Sequence, residues 1–279
     1  MFDIQATPGG VGAFVSGIDL AHDVNGNVAG ALRAALGEHG VLFFRDQDIA
    51  PEDHIAFAEK FGEININRFF AKHPDHPKIA MVVKEPDQRD NIGGGWHTDH
   101  SYDTEPALGS VLVAREVPAR GGDTLFANMY AAYDALSDGL KATLEGLNAV
   151  HSSRHVFGTE STSRAAMDTK GRIGNAEAAT QDAVHPVIVS HPISGRKALY
   201  VNGGFTTHFE GWSKEESEPL LKFLYAHASK PEFTYRFNWQ NGSVAFWDNR
   251  CTWHYAVNDY HGDRRIMHRI TIEGCPLVA

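Results

Sequence analysis

Three His-x-Asp triplets stand out among the sixteen histidines of this chain: His73-Pro-Asp75, His97-Thr-Asp99 and His261-Gly-Asp263. A neutral imidazole and a carboxylate two residues apart can share one metal ion, and a second imidazole from elsewhere completes a 2-His-1-carboxylate set that leaves positions open for reactants. Random placement of these residue types gives about one such triplet, so the pattern alone carries little. Placement separates the three. On a strand, residues i and i+2 share a face, and only His97 and Asp99 lie in a β-rich run, residues 96–102. The first triplet lies in His73-Pro-Asp-His-Pro77 and the last in a turn-like stretch. Taken alone, His97 and Asp99 read most simply as a hydrogen-bonded pair on a strand surface.

A second group sits near the C-terminus. Phe246-Trp247-Asp248-Asn249-Arg250-Cys251-Thr252-Trp253-His254 is followed by Arg265-Ile-Met-His-Arg269, so His254 precedes the two arginines by eleven and fifteen residues. An arginine in an alternating β run is either solvated on an outer face or buried against an anion, and its fork of donors suits a carboxylate or sulfonate.

The surrounding sequence must supply the scaffold. Residues 29–37 read as a helix, 41–44 as a strand, and Pro51-Glu52-Asp53 opens a second helix running to about residue 61. Beyond it, short β-rich runs at 79–83, 96–102, 110–114, 124–127, 187–190, 198–201, 233–239, 243–247 and 267–272 are mostly bounded by Gly, Pro, Asn or Asp. Helices are expected at 130–147 and 214–229. This predicts a mainly β sandwich, barrel or jelly roll with flanking helices rather than a βαβ array. Residues 159–182 are small and polar and read as a lid-like insertion in a single domain spanning 1–279.

Composition narrows the function classes. The 279 residues carry 25 Lys+Arg against 35 Asp+Glu, a net charge of −10 with 42% hydrophobic residues, which is globular and argues against a nucleic-acid partner. No apolar run approaches the roughly 18 residues of a membrane span, and no basic-then-apolar leader opens the chain, so no membrane partner is expected. Only Cys251 and Cys275 are present, too few for a disulfide framework or a thiolate zinc site. The reading is a soluble cytoplasmic protein; oligomeric state, including a homo-oligomer, is left open.

Over nearly the whole chain, from Gly12 to Gly274, the sequence resembles the taurine dioxygenase/2,4-D dioxygenase (TauD/TfdA) family of iron(II)- and 2-oxoglutarate-dependent oxygenases. The resemblance is carried by Phe61-Gly62-Glu63, Trp96-His97-Thr98-Asp99, Gly121-Gly122-Asp123-Thr124-Leu125, Val201-Asn202-Gly203-Gly204-Phe205-Thr206-Thr207 and the C-terminal block. It implies a double-stranded β-helix, or jelly roll. It also implies Fe(II) held by His97, Asp99 and His254, with 2-oxoglutarate held by Thr124 and Arg265. Arg269 matches the contact to an anionic substrate. The implied reaction consumes O2, decarboxylates 2-oxoglutarate to succinate and hydroxylates a C–H bond, with collapse of the product where that carbon bears a heteroatom group.

Departures from the taurine-cleaving members concern the substrate. Those members have a histidine at Asn67, a tyrosine near Phe70, an asparagine near Gly93 and a serine near Val156, whereas Phe157 and Phe205 match. Keeping Arg269 while losing polar partners implies a small organic anion with a less polar body than taurine: an alkyl sulfate, a longer sulfonate or an aryloxyalkanoate. His151, Arg154 and His155 read either as further ligand contacts or as ordinary strand-end and loop residues. The competing function is a jelly-roll hydrolase or isomerase using the same metal ligands without 2-oxoglutarate, which would have no need of Thr124 and Arg265.

Overall fold

The computed structural model describes residues 2–159, 161 and 171–279. Apolar residues on both faces of its central strands dictate the layering. In β3 (Val41–Phe44), Val41 and Phe43 enter one core while Leu42 and Phe44 enter another. The same alternation separates Ala245 and Trp247 from Val244 and Phe246 in β14 (Val244–Asp248), and Leu112 and Ala114 from Val111 and Val113 in β6 (Gly109–Glu116).

The large sheet also contains β1 (Asp3–Ala6), β2 (Ala13–Ser16), β4 (Ile64–Asn65), β5 (Ala80–Lys84) and β16 (Arg265–Ile272). Its order is β1-β2-β3-β14-β6-β16-β4, with β5 also paired to β16. Its outer face is covered by α1 (Gly26–His39) and α2 (Pro51–Glu59). Asn25 caps α1 by accepting the N–H groups of Asn27 and Val28, and Gly40 ends it in the left-handed conformation at φ 73.

Across the inner core lies a three-stranded sheet in which β7 (Thr124–Asn128) is flanked by β13 (Thr234–Phe237) and β15 (Thr252–Ala256). Phe126 and Phe237 from this sheet meet Phe43, Leu112, Trp247 and Met267 from the large one. The two facing sheets make the jelly-roll sandwich. A third core, against the far side of β7 and β15, is roofed by α3 (Met129–Asp134), α4 (Asp138–Leu144) and α6 (Lys214–Ala228). Two smaller sheets complete the strands: β12 (Thr206–Phe209), β8 (Asn148–Ser152) and β9 (Asp182–Pro186) in one, β10 (Ile188–Ser190) and β11 (Lys197–Leu199) in the other. The one-turn α5 (Arg154–Phe157) follows β8.

Two expectations need correction. The single helix read at 130–147 is two, because Ser137 starts a new helix by capping Leu140 N–H. The run 96–102 is not a strand: His97 makes one antiparallel bridge to His254, and the chain then bends, with His100 at φ 58. The lid-like insertion at 159–182 lies partly outside the described residues, at 160 and 162–170. Its remainder is ordered against the body, with Ile173 bridged to Phe70 and Arg172 donating to the carbonyls of Val83 and Asp90. Among the described residues no helix is long and apolar enough to cross a membrane.

Candidate metal and co-substrate site

Strand alternation delivers the charged groups to the inner core. In β16, Arg265, Met267, Arg269 and Thr271 share the inward face, so two arginines are buried where Met267 packs. In β15, His254 and Ala256 line the cavity between the sheets while Trp253 enters the core on the other side. Thr124 pairs with Ala256 in register, and Phe126 with His254. His97 reaches the same place by a different device. Its N–H donates to His254 O at 3.2 Å and the His254 N–H donates back at 2.8 Å, so the two imidazoles are neighbours with centroids 4.2 Å apart. The following bend is pinned by Thr98 Oγ1 donating to Asn249 O and by the His100–Asp103 pair at 2.9 Å, which turns Asp99 back toward both rings.

The resulting cluster has one donor set. Asp99 Oδ1 lies 3.7 Å from His97 Nε2, and Asp99 Oδ2 lies 3.4 Å from His254 Nε2. His97 Nδ1 sits 2.7 Å from Gly95 O; a carbonyl can only accept, so Nδ1 carries the proton and the Nε2 lone pair faces Asp99. That tautomer is the one a metal ligand needs. The two imidazoles and one carboxylate converge within 4.8 Å, which fits a six-coordinate divalent ion better than a closed tetrahedral zinc site. Burial alone would raise the Asp99 pKa, but Arg269 and the two histidines override it and hold the carboxyl well below the usual carboxylate range. Burial, with His97 alongside, pushes His254 well down, so it is neutral and its lone pair is available.

Around this cluster lies a cavity of about 540 Å³. Its walls include Phe70, Val82, Gly93, Leu112, Val156, Phe157, Ile173, Phe205 and Trp247, and its polar groups include Thr124, Arg265 and Arg269 beside the donor set. Arg269 Nη2 donates to Asp99 Oδ2 at 2.7 Å and its Nε to Ser110 Oγ at 3.1 Å, with the guanidinium 5.7 Å from both the Phe70 and the Trp247 ring centroids. Arg265 is 5% exposed, and its Nε has no hydrogen-bond partner among the described residues. A buried, under-satisfied guanidinium facing a cavity fits a carboxylate partner, which is what a dicarboxylic co-substrate would supply.

The sequence-named residues divide accordingly. His97, Asp99, His254, Thr124, Arg265, Arg269, Phe70, Gly93, Val156, Phe157 and Phe205 all line the one cavity. Asn67 does not; it is buried nearby, its Oδ1 accepting the N–H groups of Phe69 and Phe70 and so fixing the turn that presents Phe70. His151 is wholly buried, with Nδ1 on Thr206 Oγ1; Arg154 pairs with Asp182 at the surface; His155 bonds Gly204 O. None of these three lines the cavity. Sequence reading did not pick out Trp247, whose ring lies tilted against His254 with centroids 4.8 Å apart, or Ile173, although Trp247 stood in the C-terminal block.

Comparison with known proteins agrees with this geometry. The family model described as taurine catabolism dioxygenase TauD, TfdA family matches residues 3–271. The chain is similar to an alkylsulfatase of Acinetobacter baylyi, 35% identical over 97% of this chain and 84% of that one. It is similar to an (S)-phenoxypropionate/alpha-ketoglutarate-dioxygenase of Sphingobium herbicidovorans, 35% identical over 99% of this chain and 96% of the relative. Among solved structures, AAD-2 in complex with Mn(II) and N-oxalylglycine superposes with a TM-score of 0.83 at 31% identity, covering 99% of this chain and 100% of that one. With the match running almost end to end on a jelly roll that brings the donor set together, the chain belongs to the TauD/TfdA family of 2-oxoglutarate-dependent dioxygenases.

Proposed function

We propose that His97, Asp99 and His254 hold Fe(II), that Thr124 and Arg265 hold the distal carboxylate of 2-oxoglutarate, and that Arg269 receives a small organic monoanion for hydroxylation. The observation that carries this reading is the charge held inside one apolar cavity. Asp99 contributes one negative charge against Arg265 and Arg269, so a bound divalent ion raises the buried total to three positive. The 2-oxoglutarate dianion removes two of these. A monoanionic substrate removes the last, and burial without that neutralisation would cost several kcal/mol. When bound, Fe(II) supplies the redox chemistry that couples O2 and oxidative decarboxylation of 2-oxoglutarate, giving succinate and CO2, to attack on a substrate C–H bond.

The protein's own residues decide which bond that is. Arg269 fixes the anionic end next to Asp99, and Phe70, Val156, Phe157 and Phe205 enclose the carbon skeleton, so reach from Arg269 selects the carbon presented to the metal face. Among the described residues the walls offer no carboxylate besides Asp99, which is already paired, so they hold no counter-charge for an ammonium such as taurine's. This supports an alkyl sulfate, a longer sulfonate or an aryloxyalkanoate, in line with the names of the relatives. Hydroxylation at a carbon bearing a sulfate or aryloxy oxygen yields a hemiacetal-like product that collapses to a carbonyl compound and the released group. The hydrolase reading finds less support, since it gives the buried, unpartnered Arg265 Nε no anion to meet, and the phenoxypropionate-acting relative is named as an alpha-ketoglutarate-dioxygenase.

We place this activity in a single dioxygenase domain spanning the chain. The two cysteines, both unpaired thiols, support a reducing, cytoplasmic setting. The test is to load the protein with Fe(II), supply O2 and 2-oxoglutarate, and ask which sulfate esters, sulfonates and aryloxy acids accelerate succinate formation. Acceleration by at least one class is expected. Turnover of a sulfate ester without 2-oxoglutarate would overturn the proposal in favour of hydrolysis.

A further inference from the structure

Trp239 lies just beyond β13 and outside the cavity wall, yet its indole N–H reaches the wall. Nε1 donates to Thr124 Oγ1 at 2.9 Å, with both residues 4% exposed. An indole nitrogen is a donor only, whereas a hydroxyl has one hydrogen and two lone pairs. Trp239 therefore occupies one Thr124 lone pair and cannot receive the hydroxyl hydrogen in return. Thr124 makes no other side-chain hydrogen bond among the described residues, so that hydrogen is left for an acceptor in the cavity. The same indole lies 5.8 Å from the Arg265 guanidinium carbon, whose neighbouring Nε is the unpartnered buried donor.

We infer that Trp239 is a positioning residue for the co-substrate: its N–H locks the Thr124 hydroxyl as a donor, so that Thr124 and Arg265 together accept only a 2-oxo acid ending in a carboxylate. The inference rests on the assignment of Thr124 and Arg265 to 2-oxoglutarate. The ordinary alternative is a core tryptophan whose N–H needs any acceptor, since Trp239 also packs edge-on against Phe237 at 4.8 Å. The two differ in what the loss of the N–H does. A packing role affects all ligands alike, whereas a locking role affects only ligands whose far end is a carboxylate.

Calorimetric titration of the Mn(II)-loaded protein with 2-oxoglutarate and with 2-oxopentanoate, which lacks the distal carboxylate, separates them. Trp239→Phe keeps an aromatic ring without the N–H; replacement of Trp239 by 3-benzothienylalanine, which keeps the shape and exchanges N–H for sulfur, serves if the first variant folds poorly. The expected result is a three- to tenfold weaker affinity for 2-oxoglutarate, about the worth of one neutral hydrogen bond, with affinity for 2-oxopentanoate and for Mn(II) within about twofold of the parent. In a Thr124→Val background the same replacement should add nothing, while Thr124→Ser, which keeps the hydroxyl, should retain both affinity and sensitivity. Equal losses for the two acids, an additive loss in the Thr124→Val background, or unchanged 2-oxoglutarate affinity while Thr124→Val weakens it would each overturn the inference. If Thr124→Val and Arg265→Ala both bind 2-oxoglutarate normally, the underlying assignment falls and the inference with it.

Discussion

At the scale of residues, the site works by opposing charges held out of water. Arg265 is the clearest case, because its buried Nε has no partner among the described residues and a charge-assisted hydrogen bond is typically worth about 1.5–3 kcal/mol. Arg265→Ala should therefore weaken 2-oxoglutarate binding by roughly tenfold or more while metal affinity holds, a split that calorimetry reads directly. His97→Ala or Asp99→Ala should abolish Fe(II)-dependent succinate formation and leave the circular dichroism spectrum of the folded chain, since the apolar cores lie on other side chains. Normal turnover in either variant would contradict the ligand assignment. The sequence carried His97 and Asp99 as a pair and offered Arg265 and Arg269 as candidate anion binders, and the resemblance implied which anion each meets. Trp239 carried no signal, because its role comes from a contact across 115 residues of sequence that no local pattern encodes. Asn67 shows the reverse: it stands where the taurine-cleaving members have a histidine, but its short amide turns onto the backbone of Phe69 and Phe70 instead of the cavity.

At the scale of elements, the turn from β14 into β15 presents His254. It contains neither Gly nor Pro and is held by side chains: Asp248 accepts a bidentate contact from Arg250, accepts from His191 Nε2 at 3.0 Å, and offers its carbonyl to Thr252 Oγ1. That lack of punctuation is why β15 was not read from sequence, just as bending at residues 98–104 overrode the strand propensity of 96–102. Asp248 is fully buried, so Asp248→Ala should strand the Arg250 charge and cost about 3–5 kcal/mol in denaturant unfolding. A loss below about 1 kcal/mol would contradict this account of the turn. Helix α2 carries a second buried titratable group, His54, with Nε2 on Val111 O at 3.1 Å. Burial first, and Arg115 second, push its pKa down to about 3. Its folded pKa lies below the roughly 6.5 of the unfolded chain, so the unfolded state binds the proton first. Stability from neutral His54 is complete above about pH 6.5 and falls as pH drops toward 3, by up to about 1.4 kcal/mol per pH unit. Denaturant midpoints of the parent and His54→Leu from pH 7.5 to 4.5 should show the shallower slope in the variant; parallel curves would contradict it.

At the scale of the molecule, the cavity exists because two sheets of unequal width face each other across a core that stops short of close packing, leaving about 540 Å³ between β16 on one side and β7 and β15 on the other. The β-rich architecture was legible in the alternation of strands such as β3 and β6, buried on both faces, and the jelly roll in the motifs shared with the family. The strands β1, β8, β9 and β12 were not, being short and partly polar, and defined by pairing rather than by composition. Substrate choice belongs to this scale, because it depends on the whole wall rather than on one residue. The central claim is a monoanion pocket whose described walls are apolar and hold no counter-charge for an ammonium. The direct measurement is the specificity constant, kcat/KM, of the Fe(II)-loaded protein for taurine, a medium-chain alkyl sulfate and an aryloxypropionate under saturating 2-oxoglutarate and O2. The alkyl sulfate or the aryloxypropionate should exceed taurine by at least about tenfold, and a highest value for taurine would contradict the account.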